Sequence, residues 1–224
     1  MAVELASPER GERVLDLSGR AGAVALQVAA TAASVESIQP EEELAAEGRR
    51  LAVVMNRENV YFHSGPLHAI PFDRAQFDLV LWCLGLAHEP RPLATLAEIR
   101  RVLTPSGRLV LQEVTAFGHP SLDLKVWELE RRRNPRHIVY YTRAQLEVLL
   151  NLSGLRVERE ETTAVTQGFD YWVDTASVSS EEAAGIKRIF FDLSLPDQDL
   201  LDLVLDDGGI SFTYRVTTLT ARPE

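Results

Sequence analysis

Apolar and polar positions first fall into a readable order at Arg13-Val14-Leu15-Asp16-Leu17, a short hydrophobic run that breaks at Ser18-Gly19-Arg20-Ala21-Gly22. An alanine-rich, helix-favouring stretch, Ala23 to Ala32, follows, so the segment predicts a strand, a turn and a helix. Ala33 to Ile38 alternates as a strand does. Pro40 then opens a helix over Glu41 to Val54, with acids in its first turn where the helix dipole favours them. Asn59 to His63 reads as a third strand, closed by the turn residues Ser64-Gly65-Pro66.

Phe77 to Trp82 is a continuous β-prone run, the pattern of a strand buried on both faces. Leu93, Leu96, Ala97, Arg100, Val102 and Leu103 have helical spacing and stop at Thr104-Pro105-Ser106-Gly107, before another strand over Arg108 to Val114. Strands and helices that alternate with short links predict a doubly wound parallel sheet, whose ligands bind at the carboxyl ends of the strands. The second half is less regular. Pro120 to Arg133 reads as an inserted helix, and a further helix runs from Thr142 to Gly154. Leu155 to Glu160 reads as an edge strand, and Phe169 to Ala176 and Ser180 to Leu193 as helices. Asp206-Asp207-Gly208-Gly209 is a turn before a last strand, Ile210 to Leu219. The expectation is one domain over 1–224, with 118–141 and 168–205 as cap or insert segments.

Composition narrows the partners. A chain of 224 residues with 46% apolar side chains suffices for one sizeable core, and 33 acidic against 23 basic residues give a net charge of -10. That charge disfavours a phosphate backbone, so no nucleic acid is expected. The one dense basic cluster, Arg131, Arg132, Arg133 and Arg136, follows Glu128 and Glu130 and reads as a solvated helix face with local ion pairs. Cys83, the only cysteine, lies in an apolar run and reads as a core residue. Met1 to Arg13 carries no apolar h-region, and no stretch approaches a bilayer span, so neither secretion nor a membrane is expected and a cytoplasmic setting is the default.

Val14 to Gly22, Ile70-Pro71-Phe72, Phe77 to Val80, and Glu98 to Leu109 together resemble, in unbroken order, the class I S-adenosylmethionine-dependent methyltransferases of the ubiquinone/menaquinone-methyltransferase-like group. The segment Asn134 to Thr142 resembles the variable carboxyl-terminal half of small bacterial members. The resemblance implies a Rossmann-like α/β fold, a seven-stranded, mostly parallel sheet with the last strand antiparallel, plus a small helical cap. It also implies S-adenosylmethionine as cofactor and a small molecule as substrate.

Carried over residue by residue, the resemblance places Asp16 at the acid that ends the first strand. Ser18, Arg20 and Gly22 stand at the three glycine positions of the following turn, with Gly19 between the first two. Gln39, an amide with one acceptor oxygen, stands at the acid that takes both ribose hydroxyls, and Gly65-Pro66-Leu67 at the place of an adenine-binding aspartate. Leu67, Ile70 and Leu84 supply apolar contacts. His88 is the candidate base, and His137, Tyr140 and Tyr141 the candidate acceptor-lining residues. Ser18, Arg20, Gln39 and Pro66 also leave open a methyltransferase fold that has lost its cofactor and serves as a non-enzymatic binding or regulatory partner. A third reading is a different reaction on an anionic substrate gripped by Arg20. His63 and His68 lack metal-ligand spacing, and neither a nucleophile elbow nor a phosphate-loop lysine is present.

Overall fold

The computed structural model describes residues 6–176, 178–206 and 209–224. Residues 1–5 of the amino-terminal segment, and Asp207 and Gly208 of the expected turn, lie outside the described residues. The strands are β1 (Arg13–Asp16), β2 (Ser34–Gln39), β3 (Val60–Ser64), β4 (Phe77–Cys83), β5 (Leu103–Thr115), β6 (Leu155–Gly168), β7 (Val204–Asp206) and β8 (Gly209–Pro223). The helices are α1 (Ala23–Val28), α2 (Glu42–Val54), α3 (Pro92–Val102), α4 (Pro120–Arg133), α5 (Arg143–Leu152), α6 (Phe169–Asp174), α7 (Ser180–Phe191) and α8 (Leu195–Leu200).

All strands join one sheet in the order β3-β2-β1-β4-β5-β8-β6, with the three-residue β7 paired to β8. β1 pairs in parallel with β2 on one side and β4 on the other, and β3 and β5 extend the parallel set outward. The chain order reverses between β1 and β4, and at such a switch point the connecting segments diverge and leave a crevice. The last strand runs antiparallel. Side chains on β8 show why: Gln112 bonds Thr218 while Thr115 bonds Thr217, so the partner number falls as the chain advances. Thr162 with Thr217 and Thr166 with Thr213 give the same sense for β6.

Two compact units divide the chain. The first comprises Met1–Glu113, Gln145–Glu161 and Thr218–Glu224. Its core is built from the continuous apolar runs: Val14, Val35, Leu79, Leu81 and Val110 of the sheet meet Ala25, Leu26, Val28, Ala45 and Ala52 of the helices. Phe62 on β3 fits this core only because Gly22 and Gly48 lack side chains. A Cβ added at either glycine would collide with the Phe62 ring. Proline at the start of α3 and arginines in its last turn agree with the dipole logic read from the sequence. The residues Thr104 to Gly107 do end that helix, but they form the first part of β5 rather than a free turn.

The second unit comprises Val114–Ala144 and Thr162–Thr217, and both expected cap segments fall within it. Leu122, Val126 and Leu129 of α4 pack with Phe169 and Trp172 of α6, Phe190 of α7, and Phe212 and Tyr214 of β8. The arginine run lies on this unit and is held by local partners. Arg132 pairs with Glu128 and Glu182, Arg133 with Glu130, and Arg131 donates to the carbonyls of Pro135 and His137. Ser179 caps α7 by accepting the Glu182 N–H, one residue before the serine that opens the expected helix. Among the described residues no helix is long and apolar enough to cross a membrane, and no group of three acid, histidine or cysteine side chains could hold a metal ion.

Candidate functional site

β1 ends at Asp16, whose carboxylate is buried and already committed. Oδ1 accepts the Ser18 N–H at 3.0 Å, and Oδ2 accepts the Ser37 hydroxyl at 3.0 Å. Burial pushes its pKa above the ordinary carboxylate value, while the bonds from Ser18, Ser37 and the Ala25 backbone pull it down. Ser37 faces Asp16 because the two are register partners on neighbouring parallel strands. One turn of the β pleat further on, Gln39 Nε2 donates to Ser37 Oγ at 2.8 Å. The hydroxyl has one proton. Given to Asp16, it leaves Ser37 only as an acceptor toward the amide nitrogen, which fixes the amide orientation. Gln39 Oε1 is left buried with no hydrogen-bond partner among the described residues.

After Asp16 the backbone enters an unusual turn. Gly19, Arg20, Ala21 and Gly22 all have positive φ, at 68°, 52°, 50° and 71°. Two of these four are not glycine, and the left-handed region costs such residues roughly 1–2 kcal/mol each. Gly19 has open space where a Cβ would stand, whereas Gly22 is required by Phe62. The Arg20 side chain is exposed. Ser18 turns inward, and its Oγ accepts the backbone N–H of Cys83 at the end of β4 at 3.1 Å.

Beyond Cys83, Leu84 adopts φ 58°, and its N–H reaches the Gln112 carbonyl at 2.7 Å. A single 3-10 turn, Leu86–His88, follows, with the His88 N–H bonded to the Gly85 carbonyl at 3.1 Å. Glu113, at the end of the unit-one portion of β5, is 2% exposed and accepts the Leu86 N–H at 2.6 Å. Its pKa is pushed up to about 8 by burial, against backbone bonds from Leu86, Gly85 and Ala87. The Cys83 thiol beside it is pushed up to about 12, chiefly by burial, and so stays protonated.

The segment after β3 is stapled from α3. Glu98 accepts the Ile70 N–H at 3.0 Å, and Arg101 donates to the carbonyls of Phe72 at 2.7 Å and Ile70 at 2.9 Å while pairing with Glu98. This gives a physical reason for two of the sequence blocks to occur together. Pro66 is exposed and Leu67 half-buried in that segment.

Hydrogen bonds thus bring together Asp16, Ser18 and Gln39, and Gly19, Arg20 and Gly22 form the turn beside them. Leu84 and His88 are half-buried on the segment after β4. His137, Tyr140 and Tyr141 belong to the second unit. The His137 and Tyr140 ring centroids are 4.2 Å apart, and the Tyr140 hydroxyl donates to buried Glu130 at 3.1 Å. Burial, with Tyr214 and Glu130 nearby, holds that hydroxyl well above its usual pKa. The Tyr141 carbonyl accepts the Ala116 N–H at 2.9 Å. Sequence reasoning missed Ser37 and Glu113. The signal for Glu113 was an acid just beyond the apolar run Leu109-Val110-Leu111, and for Ser37 a small hydroxyl two positions before Gln39.

Residues 2–160 match the family described as a methyltransferase domain. The protein YafE of Escherichia coli (strain K12) is 27% identical over 73% of this chain and 81% of its own. The methyltransferase YcgJ of Bacillus subtilis (strain 168) is 23% identical over 96% of this chain and 86% of its own. A demethylmenaquinone methyltransferase of Clavibacter sepedonicus is 35% identical over 53% of this chain and 46% of its own. Among solved structures, YcgJ superposes with a TM-score of 0.92 at 22% identity, covering 99% of this chain and 96% of YcgJ. A geranyl diphosphate methyltransferase in complex with S-adenosylmethionine gives a TM-score of 0.69 at 17% identity, covering 100% and 83%. At these identities the structural likenesses establish the fold.

Proposed function

We propose, from the premise that this chain belongs to the class I S-adenosylmethionine-dependent methyltransferases of the ubiquinone/menaquinone-methyltransferase-like group, that it methylates a small molecule. The observation that carries the reading is Gln39 Oε1, a buried acceptor without a protein partner at the carboxyl end of β2. An unpaired buried acceptor costs about 1–3 kcal/mol, which a hydroxyl donor such as that of a ribose would relieve. The other substitutions are compatible with an adenosyl ligand. Ser18 points toward Cys83, Gly19 leaves room for close approach, and Arg20 is exposed.

S-adenosylmethionine bound there would supply a methyl group activated by its sulfonium. The chain's part is to bind and orient. Gln39 accepts one ribose hydroxyl, Leu67 and Leu84 give apolar contact, and the turn from Gly19 to Gly22 offers backbone groups. Asp16 acts through Ser18 and Ser37. His88 takes a proton from the acceptor when the acceptor needs a base.

Calorimetric titration with S-adenosylmethionine and S-adenosylhomocysteine, run beside thermal shift, tests this. Micromolar affinity is expected, with a rise in melting temperature corresponding to about 2.7 kcal/mol at a hundredfold excess over Kd. Absence of heat and of shift at millimolar ligand would overturn the reading in favour of a fold that works without the cofactor.

A further inference from the structure

We infer that Glu113 is a positioning residue: its buried carboxyl locks the segment Leu84–His88 in the one arrangement that presents Leu84 and His88 at the carboxyl ends of β1 and β4. The inference rests on the reading of those strand ends as a methyl-donor site. Three features of unit one support it.

The carboxyl is bonded into this segment. Glu113 accepts the Leu86 N–H at 2.6 Å, and the backbone of Gly85 and Ala87 on either side works against the rise that burial imposes on its pKa. A one-turn 3-10 helix leaves its first N–H groups without partners of its own, and in a buried setting each must be satisfied from outside. Glu113 does for this turn what a capping side chain does for a longer helix.

The neighbouring residue fixes the same segment by backbone. Gln112 holds the Leu84 N–H at 2.7 Å, so β5 presents two consecutive residues to the stretch that leaves β4. Leu84 itself is in the left-handed region, φ 58°, a conformation that persists only where surrounding contacts impose it.

The third feature is lack of freedom at Gly85. A Cβ on Gly85 would collide with the Trp82 indole nitrogen, so the turn lies hard against β4. Trp82 limits the turn by close packing at Gly85, and Glu113 holds it by the bond to Leu86. Placing an acid in an apolar strand costs desolvation, and packing alone would be served as well by an apolar side chain of similar size. What an apolar side chain cannot supply is an acceptor for the Leu86 N–H.

The test uses the full chain and three measurements on wild type, Glu113→Ala and Glu113→Gln: amide exchange, S-adenosylhomocysteine affinity, and the Trp82 indole N–H resonance. In Glu113→Ala, Leu86 amide exchange should accelerate at least about a hundredfold while Leu84, held by Gln112, keeps its protection, the Trp82 resonance should shift, and affinity should fall about tenfold or more. Glu113→Gln keeps an acceptor for Leu86 and should return affinity to within about threefold of wild type. Unchanged Leu86 protection in Glu113→Ala, or equal loss of affinity in both variants, would overturn the inference. Should Glu113→Ala fail to fold, Glu113→Gln decides: retained Leu86 protection with near-normal affinity supports the clamp, and a loss of either overturns it. Wild type that binds no S-adenosylhomocysteine would sink the methyl-donor reading, and Leu86 exchange alone would then decide whether Glu113 holds the turn.

Discussion

Ser18 Oγ accepts the backbone N–H of Cys83 at 3.1 Å, tying the first residue beyond Leu17 to the last residue of β4. The bond is a clasp between two strand ends. The hydroxyl is occupied within the protein, so its effect falls on stability before affinity. Ser18→Gly should cost about 1–2 kcal/mol, or roughly 2–8 °C in Tm for a chain of this size, and leave S-adenosylhomocysteine affinity within about twofold. Paired denaturation and calorimetry check this. A large loss of affinity at unchanged Tm would instead place Ser18 against the ligand.

Glu113 makes stability depend on pH in a defined direction. Its carboxyl is raised from an ordinary 4.5 to about 8, so the folded chain keeps a proton that the unfolded chain releases. The contribution is fully present below about pH 4.5 and is lost as pH rises through about 8. Urea denaturation of wild type and Glu113→Gln at pH 5, 6, 7 and 8 should show their difference shifting by a few kcal/mol in favour of the variant as pH rises. Parallel curves would show that the carboxyl titrates at its ordinary pH.

Ser37→Ala removes the only hydroxyl between Asp16 and Gln39, leaving one oxygen of Asp16 without that donor and the amide of Gln39 free to turn over. The expected cost is about 1–3 kcal/mol of stability. Affinity for S-adenosylhomocysteine should fall about three- to tenfold, since an amide that presents its NH2 half the time is a poorer partner for a hydroxyl donor. Calorimetry on Ser37→Ala beside Gln39→Ala separates the two contributions; equal affinity for Ser37→Ala and wild type would remove Ser37 from the site.

Arg101→Met keeps an unbranched apolar stem while removing donors to Ile70, Phe72 and Glu98. Stability should drop by about 2–4 kcal/mol, and the stretch after β3 should become the first site of limited proteolysis. Cleavage elsewhere with residues 65–72 intact would show that Glu98 alone suffices.

Much of the fold was legible because parallel strands buried on both faces are written as unbroken apolar runs, and Phe77 to Trp82 could hardly be read otherwise. The last strand was legible from its turn and alternation, and its antiparallel direction from the family resemblance. Asp16, Ser18 and Gln39 were placed by position in a motif, but their roles were not, because which way a side chain turns depends on its neighbours. Ser18 turns to Cys83, 65 residues away in sequence, and Asp16 turns to Ser37, 21 residues away. β6 ran past its expected end at Glu160 to Gly168, where β8 gives it a partner through Thr162–Thr217 and Thr166–Thr213; the β-branched Thr162, Thr163, Val165 and Thr166 favour strand there, but the pairing that fixes it lies far off in sequence. Glu113 was passed over as one more strand residue, because its bond to the Leu86 N–H emerged only with the sheet order.

Phe62 occupies a slot whose walls are two missing side chains, Gly22 in the turn after β1 and Gly48 on α2. The three positions therefore cannot drift one at a time. A methyl group gained at 48 is tolerable once the ring at 62 has shrunk, whereas a gain at 22 meets the left-handed backbone as a second obstacle even then. Across descendants of this chain, positions 48 and 62 should change size as a complementary pair while 22 stays fixed, so the steric memory of one aromatic ring is recorded at two sites, only one of which can ever be rewritten.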